Sequence, residues 1–163
     1  MTDEERTARF DAANEITKKY VMSSVSAGLI PIPIVDFIAV TGIQVKMLHS
    51  LTQQYDIPFS NNMSESVIGA LLGGLIPTEA TMSLVGSLSK LIPIGGTTLG
   101  MITMSLFSGA STYAVGKVFI QHFEAGGTIL SFEPSKVREY FKAEFAKGKE
   151  QAKQWQAQES AAA

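Results

Sequence analysis

A chain of 163 residues with no cysteine, 13 basic and 15 acidic side chains and a formal charge of −2 is one domain's worth of protein, large enough to bury a core without disulfides or metals. The missing thiols exclude disulfide scaffolds, thiolate metal sites and cysteine nucleophiles, and the near-neutral charge argues against the clustered basic footprint of a nucleic-acid-binding protein. Between Tyr20 and Phe123 the only charged side chains are Asp36, Lys46, Asp56, Glu65, Glu79, Lys90 and Lys117. A globular domain carries ~25% charged residues throughout, so most of this central surface is expected to be hidden by partner protein, by the chain's own flanks or by lipid.

After Met1 the chain reads TDEERTARFDAANE, acidic and without an apolar leader, so its start is expected to stay on the cytosolic side. Thr2 and Glu5 have capping-box spacing, and no Pro or Gly interrupts the helical pattern from there to about Ser26. In AGLIPIPIVDFIAV, Pro31 and Pro33 cannot both lie inside a helix, so the chain breaks there. Pro33 suits the first turn of a second helix running to about Tyr55, with Asp36 near its positive end. A third helix starts at Asn62 or Ser64 and is closed by Pro77; it carries Gly69 and Gly73 at small-xxx-small spacing. Thr78 and Glu79 open a fourth, which Pro93 stops.

The fifth helix is the longest uncharged stretch, Leu91 to Gly116, hinged at Gly95 and Gly96 and ending between His122 and Gly127. At ~100° per residue, Ser105, Gly109, Thr112 and Gly116 form one narrow stripe of small side chains. Such a stripe lets another helix approach closely. A helix apolar all round is either a membrane span or a buried core helix. A last helix runs from about Ser135 to Gln156. Val137, Phe141, Phe145, Ala152 and Trp155 form its apolar sector, and Arg138, Lys142, Lys149 and Lys153 its basic flank, suited to anionic lipid headgroups or to docking on the bundle with the lysines solvated.

No stretch alternates with period two over a useful length. The expected fold is therefore all-α, a bundle of about five to six helices with an apolar, glycine-rich central hairpin. Its divisions are a polar entry helix (1–26), an apolar core (27–127), an amphipathic C-terminal helix (134–157) and a flexible tail (158–163). The corners repeat a short device: Gly28-Leu-Ile-Pro31 returns as Gly74-Leu-Ile-Pro77, and Leu29-Ile-Pro-Ile32 as Leu91-Ile-Pro-Ile94. Each is an apolar corner whose proline stops a helix.

Catalytic chemistry has little to stand on. His49 and His122 have no second ligand at metal-binding spacing, no serine lies in a nucleophile elbow, and Ser111 to Val118 lacks the glycine and hydroxyl of a phosphate loop. No cofactor or metal is expected. Asp36, Glu65 and Glu79 each interrupt an apolar context near an expected helix start and read as helix-start anions; alternatively Asp36 and Glu79 are buried polar groups inside the bundle or membrane, paired with Lys46, Lys90, Gln44 or a partner.

Pro33-x-x-Asp36, Gln44, Met47 and Tyr55, followed by Lys90-Leu-Ile-Pro93-x-Gly95 and the apolar helix containing Gly116, resemble a bacterial family. It is a domain-of-unknown-function family found C-terminal to Era-like small GTPases and in inner-membrane proteins of uncharacterised role. The sequence departs from that pattern at Asp56, where the resemblance leads to glycine. The resemblance implies an α-helical, membrane-associated accessory domain without catalytic residues; any nucleotide function would come from a separate GTPase.

The residues and the resemblance together point to a non-enzymatic, membrane-associated scaffold of the bacterial inner membrane. Helices around Val67 to Val118 would form an inserted hairpin. Both ends would be cytoplasmic, because Lys18 and Lys19 precede the apolar block and Lys136, Arg138 and Lys142 follow it. The expected partners are the lipid bilayer, further copies of the chain and a separate GTPase, not nucleic acid. The alternative is a soluble or amphitropic bundle that self-assembles with its apolar centre buried, because Pro77 and Glu79 split the block from Val67 to Ile92 into pieces too short to cross alone.

Overall fold

Thr2 and Glu5 form the capping box their spacing predicts: the Thr2 amide donates to Glu5 Oε2 at 2.7 Å and the Glu5 amide to Thr2 Oγ1 at 3.2 Å. Two free amides of the first turn are thereby satisfied, and α1 runs Asp3–Ala27. The computed structural model describes residues 1–27, 33–75 and 98–162, which hold five helices and no strand. After α1 come α2 (Pro33–Gln54), α3 (Asn61–Gly73), α4 (Thr98–Glu124) and α5 (Pro134–Ala162). The helix expected between Thr78 and Pro93 lies outside the described residues. α5 continues through Ala162, past the expected stop near Gln156 and through most of the stretch read as a flexible tail.

α4 is the axis of the bundle. Its contacts fix the directions of its neighbours: Ser105 meets Val25 and Glu124 meets Arg9, so α1 is antiparallel to it. Gln44 meets Ser111 and Tyr55 meets Glu124, so α2 runs parallel to it. α5 returns antiparallel, with the Phe119 and Phe132 rings stacked at 4.3 Å near the turn. Val115, Phe119, Ile120 and Phe123 of α4 bury against Leu48 and Leu51 of α2, Ile68 and Leu72 of α3, and Phe141 of α5. A smaller cluster of Val21, Val25 and Ala152, with Leu106, Tyr113 and Trp155 packed on it, fills the other half of the α1–α4–α5 contact.

This arrangement corrects the hairpin reading. No helix among the described residues is long and apolar enough to cross a membrane. From Ser105 onward α4 is covered by α1, α2 and α5, and it carries buried Ser105, Ser108, Ser111 and Thr112. Those hydroxyls dilute its hydropathy, and three of them, Ser105, Ser111 and Thr112, are hydrogen-bonded inside the protein. The other arm, beyond α3, falls in 76–97, outside the described residues.

Both visible helix ends on the loop side use left-handed backbone. Asp56 has φ 54°, and the Ile57 amide reaches back to the Thr52 carbonyl at 2.8 Å, closing the end of α2. Gly126, at φ 84°, does the same for α4, with the Gly127 amide on the His122 carbonyl at 2.9 Å. Glycine is the natural occupant of such a position. The glycine that the resemblance led us to expect at residue 56 thus has a conformational reason, and aspartate tolerates the site at some strain.

At the same end, a clasp ties three helices. The Tyr55 hydroxyl donates to Glu124 Oε1 at 2.7 Å, Arg9 pairs with Glu124 Oε2 at 3.4 Å, and the guanidinium lies 4.7 Å from the Tyr55 ring centroid. Burial, then the hydrogen bond to Glu124, pushes the Tyr55 phenol well above its ordinary 10.0. The folded chain therefore holds this proton more tightly than the unfolded chain does. Its contribution is complete below the unfolded value and is lost as pH rises through and beyond it.

Two outcomes follow from these ends. Asp56→Gly should raise unfolding free energy in urea melts by up to about 1 kcal/mol, by relieving the left-handed residue. Tyr55→Phe should lower it by about 1–2 kcal/mol at neutral pH through the lost charged hydrogen bond. The same variant should lose less stability than the parent chain between about pH 9 and about pH 11, because the raised phenol is gone.

Candidate functional site

Where α1 crosses α4 the two helices approach closely at two glycines of α4. A Cβ placed on Gly109 would sit 2.7 Å from Val25 Cγ2 and 3.0 Å from Ala152 Cβ, and one on Gly116 would run into the Thr17 side chain. Ser105 Oγ donates to the Val25 carbonyl at 2.7 Å, and Ser24 Oγ donates back to the carbonyls of Val21 (2.9 Å) and Ser108 (3.3 Å). Small side chains and reciprocal hydroxyl-to-carbonyl bonds therefore hold the two helices together.

Thr112, on the same stripe, turns to α2 instead. Gln44 is fully buried, and its Nε2 donates to Ser111 Oγ at 3.1 Å and Thr112 Oγ1 at 3.2 Å. Gln44 Oε1 and the hydroxyl of Ser108 are buried without a hydrogen-bond partner among the described residues. This cluster offers neither a nucleophile-base pair nor a charge; it fixes the register of α2 on α4, since a slip would strand further polar groups. Gly69 and Gly73 are exposed on α3, and a Cβ on either meets nothing within 4 Å among the described residues. Glu79 lies outside the described residues, as does the side chain of Asp36.

On α5 the buried line is Phe141, Glu144, Gly148 and Ala152, with Val137 and Trp155 half-buried at its ends. Phe145, expected on the apolar sector, is half-buried beside it and meets Phe107 edge-on at 5.6 Å. Of the basic flank, Lys142 pairs with Glu139 at 3.2 Å and Lys153 with Glu150 at 3.0 Å. Lys149 lies over the Phe145 ring at 5.2 Å, and Arg138 is exposed, with Nε 3.5 Å from where a Cβ on Gly74 would stand. Two of the four cations are thus compensated by the glutamate three residues earlier, in exposed pairs that contribute little to stability.

Two residues of this helix escape a reading by residue type. Gly148 is the closest approach to α4, its missing Cβ leaving only 2.8 Å to the Ala110 carbonyl. Glu144 is almost fully buried, bonded to Lys147 at 2.6 Å. The signal for both was the three-to-four spacing from Phe141 to Ala152, which a hydrophobicity count passes over when the occupants are Glu and Gly. Among the described residues no group of three His, Asp or Glu side chains converges to hold a metal ion.

A family model described as a domain of unknown function, DUF697, matches residues 2–150. The chain is 40% identical over 151 residues to a protein of Magnetospirillum gryphiswaldense called magnetosome membrane protein 22, covering 93% of this chain and 77% of that relative. No solved structure matches it.

The contrast between the glycines is measurable. Gly109→Leu should destabilise the fold by about 1–3 kcal/mol or more, because its side chain enters the α1–α4 contact. Gly69→Ala, exposed and unopposed within α3, should stabilise it by about 0.5–1 kcal/mol through helix propensity. Urea melts that show the two substitutions to be equivalent would mean that α1 does not approach α4 as described.

Proposed function

The chain belongs to the DUF697 family, and we propose that it is a non-enzymatic helical protein that associates with a membrane and serves there as a scaffold. The observation that carries this reading is the 40% identity over 93% of the chain to a protein named for a membrane. Likeness of that extent spans the bundle rather than one motif.

The distribution of charge supports the same reading and suggests how contact is made. The last turns of α1, the first turns of α2 and the first half of α4 gather at one end of the bundle, as the Val25–Ser105 and Gln44–Ser111 contacts require. From Tyr20 to Ala27, Pro33 to Val45 and Thr98 to Gly116 the only charged residue is Asp36. The opposite end carries Arg9, Glu124 and the acidic first turn of α1. α5 brings Lys149, Glu150 and Lys153 alongside that end, because Ala152 packs on Val25 and Gly109, so in this proposal it is the sparsely charged part formed by α1, α2 and α4 that faces lipid. Because α4 is wrapped by its neighbours from Ser105 on, contact is through that end rather than through an exposed apolar span. Scaffolding then means self-association at the membrane, with copies brought together on its surface.

Flotation of the purified full chain with phospholipid vesicles tests this. The expected result is recovery with the vesicles at the top of the gradient, with chemical cross-linking there yielding multimers. Recovery only in the soluble fraction, with both neutral and anionic vesicles, would overturn membrane association; flotation as monomer alone would remove the scaffold role.

A further inference from the structure

Between α1, α4 and α5 lies a groove of about 260 Å³ lined by Asn14, Lys18, Tyr113, Lys117, Gln151 and Trp155. That is below the ~300 Å³ at which pockets for drug-sized ligands begin. The groove therefore suits a compact group rather than a nucleotide or an extended cofactor.

Its two lysines come from different helices, and neither pairs with a carboxylate among the described residues. On α5, by contrast, Lys136, Lys142, Lys147 and Lys153 each bond the glutamate three residues earlier. Lys117 Nζ donates instead to the neutral Asn14 Oδ1 and lies 5.4 Å from the Tyr113 ring centroid. Asn14 is itself oriented, its amide nitrogen donating to the Phe10 carbonyl at 2.9 Å. The ammonium is thus held in place by an amide and an aromatic face, with no counter-charge bonded to it.

Burial pulls Lys117 below the ordinary lysine range, and the more distant Glu144 only partly offsets this. Glu144 already bonds Lys147. Glu15 also lines the groove, from an exposed position at the rim. Gln151 and the indole N–H of Trp155 make no hydrogen bond among the described residues, so two neutral donors stand beside the two cations.

We propose that this groove binds a phosphate group, with Lys18 and Lys117 supplying charge, Trp155 and Gln151 supplying neutral donors, and Asn14 positioning Lys117. Charge-assisted bonds from lysine to phosphate oxygens are of the strong kind, and an anion restores the compensation that the half-buried ammonium lacks. The phosphate belongs either to a soluble phosphomonoester or to a phospholipid headgroup. The first source does not depend on membrane association at all.

Trp155 is the only tryptophan of the chain, so its emission reports on the groove directly. The full chain is titrated with inorganic phosphate, with glycerol 3-phosphate, and with phosphatidylglycerol vesicles against phosphatidylcholine ones, at ionic strength matched with chloride. A saturable change in emission is expected with a phosphate source and not with chloride. Lys18→Gln combined with Lys117→Met should weaken it about tenfold or more, while Lys19→Gln leaves it unchanged. Lys18→Gln alone, at an exposed position that folding does not depend on, should weaken it about threefold or more.

Saturation by soluble phosphates assigns the site to a free phosphate compound; saturation by phosphatidylglycerol vesicles alone assigns it to a headgroup. No saturable change with either source, or a response that Lys18→Gln and the double variant both leave intact, overturns the proposal. A chain that floats with vesicles while its Trp155 emission stays constant loses the groove and keeps the membrane reading.

Discussion

The distance between α1 and α4 sets the rest of the structure. Gly109 and Gly116 leave no room for a Cβ against Val25 and Thr17. At that separation the hydroxyls of Ser24 and Ser105 reach carbonyls of the facing helix. The same closeness carries Asn14 to Lys117 and Arg9 to Glu124 further along the pair. α2 and α5 then close on a core whose axis is already fixed, Gln44 reading the register of one and Gly148 the approach of the other. A bulky residue at either glycine would move the Ser24, Ser105, Asn14–Lys117 and Arg9–Glu124 contacts together, because these lie along the one α1–α4 seam.

This economy explains why part of the fold was legible in the sequence and part was not. The capping box at Thr2 and Glu5 could be read because it is local: the spacing is the geometry. The end of α2 was visible in a different way. The expectation of glycine at residue 56 was an unrecognised statement about backbone, and φ 54° at Asp56 supplies its meaning. The long α4 was legible as a helix with a face of small residues, but not what covers it. Small side chains, hydroxyls and sparse charge serve helix association in lipid and close packing in a protein core equally well. Only the positions of α1, α2 and α5 separate the two, and those are not local properties.

The candidate sites divide along the same line. Arg138, Lys142, Lys149 and Lys153 were readable as a basic flank because they repeat at helical spacing, but a count of lysines does not show that Lys142 and Lys153 are each held by a glutamate three residues earlier. Lys117, by contrast, drew notice only as a failed phosphate-loop match in a mid-helix apolar setting. Its surroundings come from Asn14 and Trp155, which stand far from it in the chain. Glu144 was missed for a related reason. It sits on the buried side of α5, where its charge is met by Lys147 and its position opposes Tyr113 and Tyr140, raising both phenols after burial itself.

Taken together, the charges describe a bundle with two unlike ends and one unlike side. One end is clasped by Arg9, Tyr55 and Glu124; at the other, the stretches of α1, α2 and α4 that meet carry Asp36 as their one charge, and charge returns there only on α5, with Lys149, Glu150 and Lys153. A protein that needed only to remain dissolved would gain nothing from segregating charge this way, since mixed charge over the whole surface is what opposes association. Segregation has a physical use when one end must leave water. The half-buried Lys117 then stands out as the one lysine on α4, placed on the side that α1 and α5 leave open and balanced there by no bonded carboxylate among the described residues.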